Sequence, residues 1–485
     1  MQDNFQKIND YEWRLKRGEG RLADIDLFLS EKLFEAAQKD ASIDQLIDAS
    51  KLQGILSPLV GLPDIHEGYG LPIGGVAAFE AKNGLISAGA VGYDINCGVR
   101  LVRTNLEASK VSRPILRKLL EKIEEKIPTG IGKKGRRGEL PFSLKEIVEG
   151  GAERLVKAGF GFPEDLESIE EKGKMDGADL GKVSPRAISR GKEQLATLGG
   201  GNHFIEIQEI FEVYDEELAK SFGLTKGNIS VMLHSGSRGF GHQICTDYVD
   251  ILFKRAQKER IFIPRRGLAA APITSEEGGS YFQAMAAAVN FAFANRQLMS
   301  HDVRESFQEV FQKDPKDDLG MLVVYDVAHN IAKFEEFEGK RPARRRRVLV
   351  HRKGATRAFP AGHPGLALKY QKTGQPAIVP GSMGTPSYVM VGTKEARKSW
   401  FSINHGSGRA MSRREAFRKI TEEDFRKSMG EILYNARDWR LLADEAPLAY
   451  KNIIEVIDTL VQAGLARKVA QMKPLAVVKG AGVEG

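Results

Sequence analysis

Residues 91–100, VGYDINCGVR, set a carboxylate (Asp94) and a thiol (Cys97) three residues apart, with a glycine outside each. Two donors that close in sequence cannot lie far apart in space. The flanking glycines suit a tight turn in which backbone closely approaches a bound group. Three histidines further along stand at strand ends or in glycine turns. His203 lies in LGGGNHF, His234 between a strand pattern at 230–233 and SGSRG, and His329 directly after a strand pattern at 321–328. Strand-end side chains are held by a sheet yet face its open loop layer, where metals and catalytic groups must sit. Taken singly, each of these histidines reads first as a satisfied core or surface residue. As a set with Asp94 and Cys97 they are expected to converge on a metal centre. Five donors exceed the three or four protein ligands of a typical single catalytic ion. Two ions sharing the Cys97 thiolate would use all five. Thiolate and imidazole point to zinc rather than manganese on softness alone, so these residues leave the metal open.

His405, in NHGSGR, has a different setting. The glycines after it let a phosphate come close, backbone N–H groups can cradle it, and Arg409 can pair with it. An imidazole nitrogen is a competent nucleophile toward phosphorus. Residues 380–387, PGSMGTPS, offer hydroxyls and backbone donors suited to phosphate or ribose. Residues 351–357, HRKGATR, follow a strand and supply three cations in six residues, Arg352, Lys353 and Arg357, fit for RNA phosphates, whereas residues 344–347 read as a solvated arginine loop. Two motifs are weaker. GIGKKG at 130–135 matches G-x-G-x-x-G but follows a helix and Pro128 instead of a strand, so it fails the context of a dinucleotide fold. KMDG at 174–177 matches a lysine-adenylation motif without its companions.

Positioning these groups takes strands and helices in irregular alternation. Helices are expected at 24–38, 112–127 (ended by Pro128), 143–180, 242–256, 280–312, from Ser412 (an S-x-x-E box with Glu415) and at 450–462. Residues 54–79 read as loop and short strands, and 85–104 as strand, turn and strand. Further strands are expected at 204–210, 230–234, 321–328, 348–350, 377–379 and 387–391. The expected fold is α+β: one large domain over residues 1–485, its mixed sheets and helices arranged around a central metal and nucleotide cleft.

Composition sets the bounds. The 485 residues carry 42% hydrophobic side chains, enough for a sizeable core, and a net charge of +8 that permits a polyanionic partner without demanding one. Fifty-one glycines without a period indicate many tight loops. Two cysteines make no disulfide framework and indicate a reducing compartment. No apolar leader or long apolar run is present, so a cytoplasmic protein without a membrane span is expected. The oligomeric state is open, with a monomer preferred.

In order, VGYDINCGVR, GGGNHFIE, LHSGSRGFGHQ, VYDVAHN, HRKGATRAFP, PGSMGTPSY and NHGSGR resemble the RtcB family of RNA ligases, and the likeness covers most of the chain, from about Leu62 to Lys479-Gly480. The resemblance implies an enzyme that joins RNA 2′,3′-cyclic phosphate or 3′-phosphate ends to 5′-hydroxyl ends. It implies GTP and two Mn2+ ions as cofactors, and tRNA halves or broken RNA as substrate, in tRNA splicing or RNA repair, with archease as a partner to consider. Asp94, Cys97 and His203 would hold one ion, and Cys97, His234 and His329 the other. His405 would form a histidine–GMP adduct, assisted by Asp64, His66 and Arg409. Asn202, His203, Phe204, Ile205, Glu206, His329, Asn330, Pro380, Gly381, Ser382, Met383, Ser387, Gly406, Ser407, Gly408, Tyr450 and Lys479 would line the guanylate site. Arg190, Arg238, Arg352, Lys353 and Arg409 would meet RNA. Ile65, Asn404, Ser407 and the tail after Gly480 depart from the commonest family forms. Two other classes compete: a two-metal RNA phosphohydrolase or nuclease, which would leave His405 idle, and a non-enzymatic RNA-binding protein with a structural metal.

Overall fold

Two largely antiparallel sheets divide most of the strands between them. One runs in spatial order Gln6–Asn9, Glu12–Leu15, Ile25–Leu27, Leu59–His66, Ile73–Glu80, Arg345–Lys353 and Asn330–Glu338. The other runs Val323–Ala328, Gly98–Glu107, Asn228–Ser235, Phe204–Val213, Ala466–Lys479, Ser387–Gly392 and Pro376–Val379, with Leu433–Tyr434 parallel beside Ala466–Lys479. Its two edge strands pack back against each other, so the sheet nearly closes into a barrel. This is a computed structural model, describing residues 5–135, 140–338, 345–436 and 438–482. The α+β class is as expected, and no described helix is long and apolar enough to cross a membrane.

Several boundaries differ from expectation for local reasons. In place of one helix at 24–38 there is the strand Ile25–Leu27 and then the helix Glu31–Ala37. Asp24 and Asp26 are engaged by the Arg17 N–H and the Arg14 guanidinium, and Ser30 starts the helix by accepting from the Leu33 N–H. The stretch 54–79 holds two eight-residue strands, Leu59–His66 and Ile73–Glu80, rather than short ones. A single helical turn, Ala88–Val91, interrupts 85–104. Within 143–180, Gly151 (φ 56°) breaks the helix Leu144–Val156, and only Pro163–Glu167 follows as α-helix. Residues 345–347 belong to the strand Arg345–Lys353; Arg346 pairs with Glu80 and Arg347 lies over Phe334, while Arg344 is outside the described residues. The helix Pro185–Gln194 and the strands Asn330–Glu338 and Ala466–Lys479 were not expected.

The helix Glu276–Phe311 is the core's main beam. Ser275 caps it through the Gly278 N–H, and Gln312, left-handed at φ 54°, ends it. From Ala284 to Ser300 every residue is buried, polar ones included. Such burial is tolerable only when each polar group finds a partner. Asn290 donates to the Val148 and Met175 carbonyls, and Arg304 makes two 2.7 Å bonds to the buried Asp165. Arg296 and Arg100, both fully buried, converge on fully buried Asp326. Removing that carboxylate would leave two guanidinium groups uncompensated inside the protein. Asp326→Asn is therefore expected to destabilise by about 3–5 kcal/mol, read as a lower midpoint in guanidinium unfolding; a shift below about 1 kcal/mol would contradict the role given to this ion triad.

Candidate active site

The turn between Asp94 and Cys97 is held from three sides. The Cys97 N–H donates to the Asp94 carbonyl (2.9 Å), and Asn96 between them is left-handed at φ 51°. Arg296 donates to the Asn96 carbonyl at 2.9 Å and to the Ser235 carbonyl, next to His234, at 2.8 Å. The Asn330 side chain reaches the Asp94 carbonyl (3.0 Å), and the His329 N–H donates to the Cys97 carbonyl (2.7 Å). Gly236 has no alternative here: a Cβ would stand 2.2 Å from Asp94 Oδ1.

The expected donors do come together. Cys97 Sγ lies 3.1 Å from His234 Nε2 and 3.5 Å from His203 Nε2, and His203 Nε2 lies 2.8 Å from Asp94 Oδ2. Asp94, Cys97 and His203 make a compact three-donor group. The rings of His234 and His329 stand 5.4 Å apart, centre to centre. Separations near 3–3.5 Å are those of ligands sharing one ion at bond lengths of roughly 2.0–2.3 Å. His329 gives the test of fit. Its Nδ1 is held by Thr356 Oγ1 at 2.9 Å, while its Nε2 is buried with no partner. A ligating imidazole has this form, one nitrogen fixed by the fold and the other open.

Burial sets the protonation of the group. It holds His234 and His329 well below the usual imidazole range, so both are neutral. Burial would raise Asp94, but the His203 hydrogen bond and the nearby positive charge outweigh it and keep the carboxyl at about 2. The Cys97 thiol is pushed well up, by burial first and then by the Asp94 charge. Of these four donors only Cys97 must surrender a proton to a cation.

His405 borders this group, its ring centre 5.2 Å from that of His329. Fully buried Asp64 lies 2.6 Å from His405 Nδ1 and accepts the His405 backbone N–H at 3.1 Å. With Nδ1–H donated to the carboxylate, Nε2 keeps its lone pair. The ring borders a cavity of about 220 Å³, lined by Asn202, Phe204, residues 380–383, residues 405–409, Tyr450 and Lys479. His66 lines it too, its imidazole lowered to about 3 by burial and by the Lys451 ammonium. The Ser407 hydroxyl is buried without a partner on this lining, as a polar ligand requires. Glu206, Gln208 and Ser387 form a chain behind the 380–383 loop. Gln208 donates to Glu206 (2.7 Å) and Ser387 Oγ (3.1 Å), and Ser387 Oγ accepts the Gly381 N–H at 3.1 Å. Burial pushes the Glu206 carboxyl up to about 8, and its Oε1 has no partner.

Some expected contacts fall elsewhere. Ile205, alternating with Phe204 and Glu206 along its strand, faces away into the core beside Leu198 and Val231. Arg352 is fully buried and spent on Glu335, Ser402 Oγ and the Trp400 carbonyl, so it cannot face RNA. Lys353 is likewise buried, lowered to about 8 by burial, and fixes the Tyr69 and Gly89 carbonyls. Arg238 is buried against His203 and Thr197, at the floor of a second hollow. Arg190, half-buried, donates to Gln243 at 3.3 Å, away from either lining. Lys174 of the KMDG stretch lines a separate hollow with Arg357 and Tyr370. Residues 480–482 lie against the glycine loop, where the Gly482 carbonyl accepts the Gly201 N–H at 2.7 Å, and the rest of the tail is outside the described residues. Arg413 and Glu445 also line the cavity and were not foreseen. Glu445 is fully buried and held at about 2: burial opposes its charge, but Lys479, Arg413 and Arg409 outweigh it.

Comparison with known proteins follows this geometry. The family described as tRNA-splicing ligase RtcB matches residues 45–480. A protein named tRNA-splicing ligase RtcB from Thermococcus kodakarensis is 45% identical over 482 residues, 98% of this chain and 99% of that protein. Those of the same name from Archaeoglobus fulgidus (45% over 487 residues; 99% and 100%) and Pyrobaculum aerophilum (44% over 482 residues; 98% and 99%) are similarly alike.

The donor protonation has a measurable consequence. A cation bound through Cys97 must displace a proton, so below the thiol pKa affinity rises about tenfold per pH unit. Titration calorimetry with Mn2+ in two buffers of different ionisation enthalpy, between pH 6.5 and 8.5, is expected to show that release and that slope. In Cys97→Ser the slope should vanish along with most of the affinity; an unchanged slope would remove Cys97 from the ligand set.

Proposed function

The chain belongs to the RtcB family, and from that premise we propose that it is a GTP- and Mn2+-dependent RNA ligase working through a histidine–GMP intermediate. The observation that carries the reading is the His405–Asp64 pair. It leaves an imidazole lone pair at a cavity wall between the metal-donor residues and a loop of backbone and hydroxyl donors. A hydrolase using the same ligands would give that pair, and the 380–383 loop, nothing to do.

In this reading Asp94, Cys97 and His203 would hold one manganese, and Cys97, His234 and His329 the second. The ions, when bound, would stabilise charge on phosphoryl oxygens. His405 Nε2 attacks the α-phosphorus of GTP, an N–P bond forms, and pyrophosphate leaves. Asp64 holds the Nδ1 proton and stabilises the positive charge that develops on the ring. Tyr450 and Phe204 offer ring faces at the cavity, and the unpartnered Glu206 oxygen behind its wall suits the N–H donors of a guanine edge. The Ser407 hydroxyl and the 380–383 loop suit the ribose and phosphates.

GMP then passes from His405 to an RNA 3′-phosphate; the N–P bond breaks and a phosphoanhydride forms. A 2′,3′-cyclic phosphate is first opened by water to that 3′-phosphate. The 5′-hydroxyl of the second strand attacks the activated phosphorus, loses its proton, and GMP departs. The products are a 3′,5′-phosphodiester and GMP. tRNA halves and broken RNA with these ends are the proposed substrates.

With α-labelled GTP and Mn2+, the protein should acquire an acid-labile, alkali-stable label. His405→Ala should carry none. Asp64→Asn, which loses the charge that orients and supports the ring, should slow labelling at least about 100-fold. Metal-loaded protein that takes no label, or a label that survives acid, would rule this mechanism out.

A further inference from the structure

Three hollows meet at Arg413. One is the cavity beside His405. The second, about 460 Å³, is bordered by Tyr93, Asp94, His203 and His242. The third, about 810 Å³, runs from Lys39 past Tyr69 and His66 to Arg409. Arg413 lines all three. The roles proposed above engage the first hollow and the metal-donor edge of the second, and leave the rings between the second and third unexplained.

Those rings form a column. Tyr93 stacks on His242 at 4.7 Å and 20°, and Tyr69 packs against Tyr93, tilted, at 5.2 Å and 35°. Tyr69 ends the column and is 37% exposed, although most large aromatic side chains of this protein are buried. Its backbone is clamped all the same. The Lys353 ammonium binds the Tyr69 carbonyl, Gln45 holds Gly68 through its N–H at 3.1 Å and through its carbonyl, and Gly70 (φ 81°) abuts Gly267 so closely that a Cβ would sit 2.1 Å from the Gly267 carbonyl oxygen. An exposed tyrosine on an immobile loop offers a large flat face at little entropic cost, the property that makes such rings binding anchors. Tyr93 immediately precedes the donor Asp94. The middle ring of the column therefore stands one residue from the donor cluster.

We propose that Tyr69, backed by Tyr93 and His242, is the stacking platform for a nucleobase at or next to an RNA end being joined. This rests on the ligase reading and adds to it a residue that positions the RNA. A ring face accepts every base, so the platform would fix the end nucleotide without selecting sequence.

The test is binding of short single-stranded oligoribonucleotides, one ending in a 3′-phosphate and one in a 5′-hydroxyl, to the manganese-loaded protein by fluorescence anisotropy. Tyr69→Ala is expected to weaken one of the two by about 5- to 150-fold, the range found when one base–aromatic stack is removed. The strand affected identifies which end the platform holds. Tyr69→Phe, which keeps the face and loses only the hydroxyl, should stay within about twofold of wild type, and it guards against misfolding as the cause. On an oligonucleotide with abasic sites at its two end nucleotides, Tyr69→Ala should cost almost nothing further. Wild-type affinity of Tyr69→Ala for both strands would overturn the platform, as would an equal loss in Tyr69→Phe or an equal loss on the abasic strand. Labelling of wild-type protein by GTP separates the two ideas. If wild type takes label while the Tyr69 variants bind RNA normally, the platform fails alone; if wild type takes none, the ligase reading falls first.

Discussion

Much of the site hangs on one buried carboxylate. Asp326 sits in the strand Val323–Ala328, directly before His329, and two guanidinium groups meet on it. Arg296, held there, has its remaining N–H groups free to bind the Asn96 and Ser235 carbonyls, one residue from Cys97 and one from His234. A single salt-bridged arginine on the core helix thus ties three donor-bearing segments together. Burying this ion triad is costly in itself. Its return is geometric: Asp94, Cys97, His203 and His234 stand within 2.8–3.5 Å of a neighbouring donor, with the His329 ring beside them.

Burial also decides the chemistry of those donors. The same desolvation that keeps His234 and His329 unprotonated holds the proton on Cys97. Imidazoles can then bind a cation without prior deprotonation, while the thiol becomes a ligand only in exchange for its proton. His405 is handled by contact instead. The Asp64 hydrogen bond selects the tautomer and leaves Nε2 toward the cavity. Two means of controlling nitrogen, desolvation and a carboxylate partner, work side by side in rings about 5 Å apart.

The local code was legible where chemistry is concentrated. Asp94 and Cys97 are close in sequence, and the histidines close strands or follow glycine turns, so the cluster could be read from spacing and context. The S-x-x-E cap at Ser412 acts as written. Three kinds of information were not legible. The strand Ala466–Lys479 contains Pro474 and two exposed cations, Arg467 and Lys473, which interrupt its apolar pattern, yet it lies inside the second sheet and delivers Lys479. The cations of residues 351–353 looked like a surface patch because charge is usually solvated. Glu335, Ser402 and the Trp400, Tyr69 and Gly89 carbonyls, all remote in sequence, turn two of them into internal struts. Glu445 stands in a stretch without motif or period, and its importance arises only from what the fold brings round it.

That surrounding makes one wall of the cavity a single unit. Glu445 accepts from Tyr450 at 2.5 Å and Arg413 at 2.5 Å, and lies 3.1 Å from the Lys479 ammonium and 3.4 Å from Arg409. Four cavity-lining side chains from three separate segments share one buried anion. A carboxylate has about four lone-pair sites, so its capacity is filled and every partner constrains the others. Removing one leaves charge uncompensated at fixed positions, and the losses cannot be additive. Glu445 and Asp444 carry two negative charges against the three cations Lys479, Arg413 and Arg409, so the wall fixes its cations in place and keeps a net positive charge. In the proposed reaction a nucleotide polyphosphate would meet that wall with its cations already placed, and discrimination among anions would fall to the base, the ribose and the 380–383 loop, where geometry rather than net charge decides.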